Sequence, residues 1–245
     1  MFKSKITSAV KSIIATFSLL MIFPAFSIST KRIIIDTFET YNNNFFQTWL
    51  LRNDPIDNAA KIYNIRTENN NKFLHAETAG GSIQIAKKVL WDIKIHPFLS
   101  WKWRVTELPE GANEETGGKN DSPAAIYVVF PRKQIPFISW KYQPINVIKY
   151  VWSSTLPVGK IVKKQKDKLD ATIYEGRFVV LRSGKDDMGK WISEKRNVLD
   201  DYKKLFGAYP KYNPILVAIL TDSNDTKSRA AADYDDIVKE KISDE

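Results

Sequence analysis

Between Pro97 and Glu107 the sequence LSWKWRV alternates without a break: Leu99, Trp101, Trp103 and Val105 share one face, and Ser100, Lys102 and Arg104 share the other. A strand with two tryptophans on one side is a half-buried strand, and it needs a second layer to cover that side. Short β-branched or apolar runs recur along the chain: Ile33–Ile35, the SIQIAKKV run, AAIYVVF, YVWSSTLPVG, RFVVLRSG, KWISEKRNV and Ile215–Leu220. YNIRTENNNKFLHAET predicts a hairpin turning at Asn69-Asn70-Asn71. One short helix is signalled near 198–206, with Asn197 as its cap, Asp200 and Asp201 in its first turn and Gly207 as its stop. Many short strands, no βαβ rhythm and no internal repeat predict a mainly β chain folded as an antiparallel, jelly-roll-like β-sandwich. Hydrophobic residues make up 43% of the 245 positions, enough for one core, so residues 28–245 are expected to form a single domain.

Residues 1–27 are read separately. Lys3, Lys5 and Lys11 precede an apolar run from Ile13 to Phe26, and Ala25-Phe26-Ser27 offers small residues where a signal peptidase cuts, so a signal peptide cleaved after Ser27 is expected. The alternative is an uncleaved N-terminal anchor. Either route exports the body to the periplasm or beyond. With no cysteine, the chain has no disulfide framework and no thiolate metal site. Loss of three lysines with the leader leaves a moderately basic body, for which solubility is the plainest reading, nucleic acid an unsuitable partner, and acidic glycans or anionic envelope surfaces more suitable ones. A monomer is expected.

Candidate chemistry divides into metal and ligand sites. Asp36 and Glu39 leave the first strand, while Asp235 and Asp236 sit in the last, read as Tyr234 to Val238. If those strands are neighbours, the four carboxylates suit a structural calcium; strand alternation, which sends Asp235 and Asp236 to opposite faces, argues for ordinary surface charge instead. Asp222, Asn224, Thr226 and Asp233 match an EF-hand register only in part, since Lys227 stands where the turn needs glycine. Gly184 to Lys190 imitates a phosphate loop, but Trp191 replaces the hydroxyl that would meet magnesium. Only His75 and His96 could act as imidazole bases, and there is no nucleophile elbow. Carboxylate-pair chemistry stays open, with Asp121, Glu194 and Asp222 as possible partners.

A binding cleft is the preferred reading. Arg104, Arg182, Glu194, Arg196 and Asp222 each sit in or beside an apolar run where an unpaired charge is costly, and Trp103, Tyr127 and Trp152 offer flat platforms for sugar rings, with Asp121 nearby. The competing reading pairs these charges structurally and puts the aromatics in the core. Pro131 to Lys149 reads as a long excursion in which Phe137, Ile138 and Trp140 among Arg132, Lys133 and Lys141 suit peripheral membrane contact or a lid.

LSWKWRV, NDSPAAIYVVF, YVWSSTLPVG, VVLRSG, GKWISEKRNVLDDYKKLFG and AILTDSNDTKSRAAADYDDI, in this order, resemble the bacterial family labelled domain of unknown function 3047, from about Ile33 to Val238. The resemblance implies an exported, jelly-roll-like sandwich and no particular activity. The DTFE opening and DYDDI ending are similar to the terminal strands of carbohydrate-binding modules, which implies a calcium there. The function expected is non-catalytic binding of a glycan or envelope ligand, with a carboxylate-dependent hydrolase or lyase, or a structural envelope component, as alternatives.

Overall fold

The computed structural model describes residues 32–41, 45–51, 54–133, 144–165 and 174–241. The expected signal segment and the tip of the excursion, with Phe137, Ile138, Trp140 and Lys141, lie outside the described residues. In chain order the strands are β1 (Arg32–Asp36), β2 (Leu50–Leu51), β3 (Tyr63–Glu68), β4 (Asn71–Ala79), β5 (Ile85–Lys88), β6 (Phe98–Glu107), β7 (Ala124–Pro131), β8 (Ile145–Ser153), β9 (Ile161–Gln165), β10 (Tyr174–Ser183), β11 (Ile192–Asn197), β12 (Leu216–Leu220) and β13 (Arg229–Glu240). They form two sheets: β11-β6-β13-β4-β3, with β1 also on β13, and β2-β5-β12-β7-β8-β10-β9. The chain passes repeatedly from one sheet to the other, as in a jelly roll, so the expected mainly β sandwich is observed.

One pair departs from the antiparallel expectation. β8 and β10 run parallel, and a parallel pair needs a crossover. β9 lies on that crossover and closes antiparallel on the far edge of β10, so part of the lysine-rich stretch read as a solvated connection is an edge strand. Lys163 and Lys164 there are the charges that keep an exposed edge from pairing with another chain.

Opposed inner faces make the core. Trp101 stacks near Tyr150 at 5.3 Å and Trp103 meets Trp152 at 6.1 Å, one partner from each sheet. Tyr234 crosses the same interface, its hydroxyl donating to the Leu220 carbonyl at 3.0 Å. Turns follow local chemistry: Asn69 and Asn70 take positive φ at the β3–β4 hairpin, as a two-residue turn requires. The helix α2 (Val198–Phe206) begins where Asn197 Oδ1 accepts from the Asp200 N–H and ends at Gly207 with φ 83°. A one-turn helix, α1 (Ile56–Ala60), and a 3-10 turn at Phe45–Gln47 were not signalled, because one turn carries too little periodicity to read.

β13 is the central strand of the first sheet and begins five residues before the sequence reading placed it. Ala230, Ala231 and Ala232 hide it: a run of three alanines carries no β-branched or alternating signal, yet β6 and β4 pair with it on both sides. Near its end Asp236 takes a positive φ of 48°, and the register with β6 slips between Asp235 and Val238. This bulge sets Asp236 and Ile237 against Trp101 alone, so Ile237 still reaches the core.

Candidate functional site

On the outer side of the first sheet, register brings four side chains into one row. Asn64 pairs with His75, His75 with Asp233, and Asp233 with Arg104, across β3, β4, β13 and β6. His75 Nδ1 lies 2.7 Å from Asp233 Oδ1, and Arg104 Nε donates to Asp233 Oδ2 at 2.7 Å. Arg104 Nη1 continues the chain to Glu68 Oε2 at 2.9 Å, while its guanidinium lies 4.7 Å from the Trp191 ring. Asp233 and His75 are 2% and 4% exposed, so a buried carboxylate is held between an imidazole and an arginine.

The adjacent row is shallow at its centre. Ala231 of β13 stands between Glu77 of β4 and Glu107 of β6, so a methyl group lies between long side chains and leaves a groove of about 320 Å³. Three guanidiniums, Arg66, Arg104 and Arg229, and three carboxylates, Glu77, Glu107 and Asp233, line it. Arg229 binds both Glu77 and Glu107 at the mouth, and Glu77 Oε2 also lies 3.5 Å from His75 Nε2. Phe73 forms part of the floor and meets Trp191 edge-on at 5.3 Å.

The nine expected ligand residues do not share one cleft. Arg104 is in the groove. Trp103 and Trp152 are fully buried between the sheets, because the alternation that turns Arg104 outward turns Trp103 inward. Arg182 donates to Glu194 at 2.7 Å, joining β10 of one sheet to β11 of the other. Arg196 makes two bonds to Asp201 at 2.9 and 2.6 Å, and the Tyr150 hydroxyl donates to the same carboxylate at 2.7 Å. These pairs close the edge of the sandwich, as the structural reading of them anticipated.

Asp121, Tyr127 and Asp222 belong to a second cluster, on the outer side of the second sheet. Asp121 accepts from the Asp225 and Thr226 N–H groups at 3.0 and 2.7 Å and pins that loop. Asp222 accepts from the Ser122 N–H at 2.8 Å; burial above all, with Asp121 and Glu114 nearby, pushes its carboxyl up to about 6 against the pull of Lys149 and that N–H. Lys149 is 1% exposed, donates to Ser122 Oγ at 2.9 Å and lies 5.4 Å from the Tyr127 ring, whose hydroxyl burial pushes well above its usual range. Glu114 completes the network, accepting from Ser122 Oγ and Ser153 Oγ at 3.1 and 2.6 Å. Every member is buried, so the raised carboxyl of Asp222 follows from its enclosure.

The four carboxylates expected to share a calcium are not brought together. β1 and β13 are indeed antiparallel neighbours, yet the four carboxylates diverge. Asp36 turns toward the second sheet and accepts from Tyr41, Trp49 and Lys87, Glu39 from the Lys72 N–H, and Asp235 from Asn71, while Asp236 pairs with Lys102 at 2.7 Å. Among the described residues no group of three or more His, Cys, Asp or Glu gathers to hold a metal.

The sequence alone presents His75 only as a lone imidazole and Asp233 only in a broken EF-hand register, and it gives no chemical sign of Glu77 or Lys149. The signal that sets His75 and Glu77 on one face is the alternation Phe73, His75, Glu77 against Leu74, Ala76, Thr78, the same argument applied to LSWKWRV.

The matched segments carry this arrangement: a family model fits residues 48–238, which include all of the groove and all of the enclosed cluster. The chain belongs to the family described as Protein of unknown function (DUF3047). No curated protein matches this DUF3047 chain in sequence. Similar solved structures include the xyloglucanase domain of NopAA, a type three effector from Sinorhizobium fredii, in complex with cellobiose (10% identity, 73% of this chain and 87% of that one, TM-score 0.39). Endoglucanase 3 of family GH12 from Trichoderma harzianum matches at 9% identity over 74% of this chain and 82% of its own, with a TM-score of 0.38. The mannan-recognising carbohydrate-binding module TmCBM27 matches at 8% identity over 86% of this chain and 98% of its own, with a TM-score of 0.33. None of these similarities assigns a residue or an activity to the DUF3047 chain.

Proposed function

We propose that the protein is an exported, non-catalytic glycan binder whose binding face is the groove on the outer side of the first sheet. The observation that carries this reading is the row His75, Asp233, Arg104 locked beneath an open groove lined by equal numbers of guanidiniums and carboxylates. Such a surface offers dense donors and acceptors with little net field, which suits the hydroxyl groups of a neutral glycan better than an anion. Preorganisation supports it as well, since Asp233 and Arg104 are already fixed by one another and by Glu68. Export is supported by the basic start and apolar run of residues 1–27.

Binding fits the groove better than hydrolysis. Glycoside hydrolysis needs a carboxylic acid and a carboxylate flanking the scissile bond. Here Asp233 is engaged by Arg104 and His75, Glu77 by Arg229, and Glu107 by Arg229, so among the described residues each carboxyl group lining the groove is already paired with a cation or an imidazole. One observation favours the enzymatic alternative: an imidazole oriented by a buried carboxylate is the usual arrangement of a general base.

Titration calorimetry against soluble neutral and acidic polysaccharides tests both readings. Binding of a neutral polymer, weakened at least tenfold by Arg229→Ala or Glu77→Gln, is expected. Silence toward every polymer would overturn the binding reading. Release of reducing ends or unsaturated sugars that His75→Asn abolishes would replace it with the enzymatic one.

A further inference from the structure

Away from the groove, two connections run side by side at one end of the second sheet: residues 89–97 between β5 and β6, and residues 207–215 between α2 and β12. The Val89 N–H donates to the Ile215 carbonyl at 3.1 Å and the Ile93 N–H to Asn213 Oδ1 at 3.2 Å. Between them lies a hollow of about 720 Å³, with Trp91 at its floor donating to the His96 carbonyl at 2.6 Å. Its rim presents Leu90, which is 95% exposed, and the same two connections carry Tyr209 and Ile95, 53% and 48% exposed. The backbone beneath Leu90 is fixed, because Lys239 Nζ donates to its carbonyl and Val89 is bonded to Ile215. Leu90 is therefore held out in water by a fixed scaffold.

Lysine predominates on and beside these connections. Lys88, Lys94, Lys203, Lys204 and Lys211 are exposed there. Asp92, whose Oδ1 accepts from the Lys94 and Ile95 N–H groups, and Asp200 on α2 are the exposed acids here, against five lysines. Lys203 lies over the Tyr209 ring at 4.6 Å and Lys211 over the Tyr212 ring at 5.5 Å, so an ammonium group accompanies each of these rings.

We infer that this end of the sandwich docks on an anionic lipid bilayer. Protruding leucine and isoleucine side chains enter the boundary between headgroups and acyl chains, tyrosine sits at that boundary, and lysines meet the phosphates around them. Each lysine near such a surface contributes about 1 kcal/mol of attraction. A bilayer also asks for no shape complementarity, and the isolated tips around a wide, open hollow offer little. This surface is separate from the groove, and the inference does not rest on glycan binding.

The chain has no cysteine, which makes a site-specific probe direct. Leu90→Cys is labelled with a polarity-sensitive dye, and Lys163→Cys on β9, at the opposite edge of the second sheet, serves as the control. On mixing the full chain with phosphatidylglycerol-containing vesicles, the Leu90 probe should shift to the blue and the Lys163 probe should not. Phosphatidylcholine vesicles should leave both unchanged. Replacing Lys94 and Lys211 by Gln should weaken vesicle partition roughly thirtyfold, at about 1 kcal/mol per lysine. A Leu90 probe that stays in water while the protein sediments with vesicles would show attachment through another segment, such as the apolar N-terminal run, and would overturn the inference. So would an equal response to neutral lipid, or no vesicle binding at all; a soluble protein partner that shifts the probe where vesicles do not would put a protein interface in its place.

Discussion

Asp36, the last residue of β1, accepts a hydrogen bond from Lys87 of β5 at 2.6 Å and so ties the first sheet to the second. The same carboxylate also accepts from the Phe38 N–H, the Tyr41 hydroxyl and the Trp49 indole. Removing it leaves four donors without their acceptor at a buried edge. Asp36→Ala is therefore expected to lower unfolding free energy by about 3–5 kcal/mol. Lys87 is 22% exposed at its side chain and its partner keeps three other donors, so Lys87→Met is expected to cost nearer 1 kcal/mol. Urea unfolding of the two variants checks the order; equal losses would show that the ion pair, and not the carboxylate hub, holds the edge.

Calcium is expected to leave the melting temperature where it is. The carboxylates once candidates for an ion are bonded to protein donors, and an ion that found the folded state would have to displace Lys87 or Lys102. Scanning calorimetry with excess calcium and with chelator should give coincident curves. A bound ion at a hundred times its dissociation constant would add about 2.7 kcal/mol, a rise that could not be missed.

Stability should depend on pH through Asp222. Its folded carboxyl is raised from 3.8 to about 6, so between these values the folded state holds a proton that the unfolded state has lost. The stabilisation from that proton is complete below the unfolded value and disappears as pH rises toward 6. At neutral pH the ionised carboxylate then costs about 3 kcal/mol relative to its protonated form. Asp222→Asn keeps an acceptor for the Ser122 N–H and removes the ionisation. The stability of the variant relative to the parent should therefore rise between pH 4 and pH 7. A difference that stays flat across this range would show that Lys149 holds the carboxylate ionised throughout.

Ala231 is the test of the groove. Leucine there would project into the hollow between Glu77 and Glu107 without entering the core, so Ala231→Leu should abolish glycan binding while changing unfolding free energy by less than about 1 kcal/mol. Retained affinity would move the binding face elsewhere on the sandwich.

Much of the fold was legible because it is written in alternation. The faces of Leu99 to Val105, the Asn69-Asn70 turn and the Asn197 cap all depend on near neighbours in sequence, and all are found. The site was less legible because it is made across strands. Arg104 was singled out but grouped with Trp103, although adjacent residues of a strand face opposite ways. His75 and Asp233 are 158 positions apart and meet only through the register of β4 against β13, which no single stretch encodes. Asp233 was further concealed by the three alanines before it, which carry no strand signal of their own. The carboxylates of the chain ends failed for the converse reason: their strands do pair, but the direction of each side chain at an end and a bulge is set by what lies above it, such as Lys87 over Asp36.

The pairing of β1 with β13 also decides how the protein answers to tension. Arg32 lies opposite Glu240 and Ile33 opposite Lys239, so the two ends of the described chain leave the sheet side by side. A pull between them loads the hydrogen bonds of this pair one rung at a time, as a zipper opens, and never loads the whole ladder in shear. β1 would peel away at low force while the other strands of its sheet stay closed, so a stretched protein would lengthen first at this edge and give up the tie from Asp36 to Lys87 before its core is exposed.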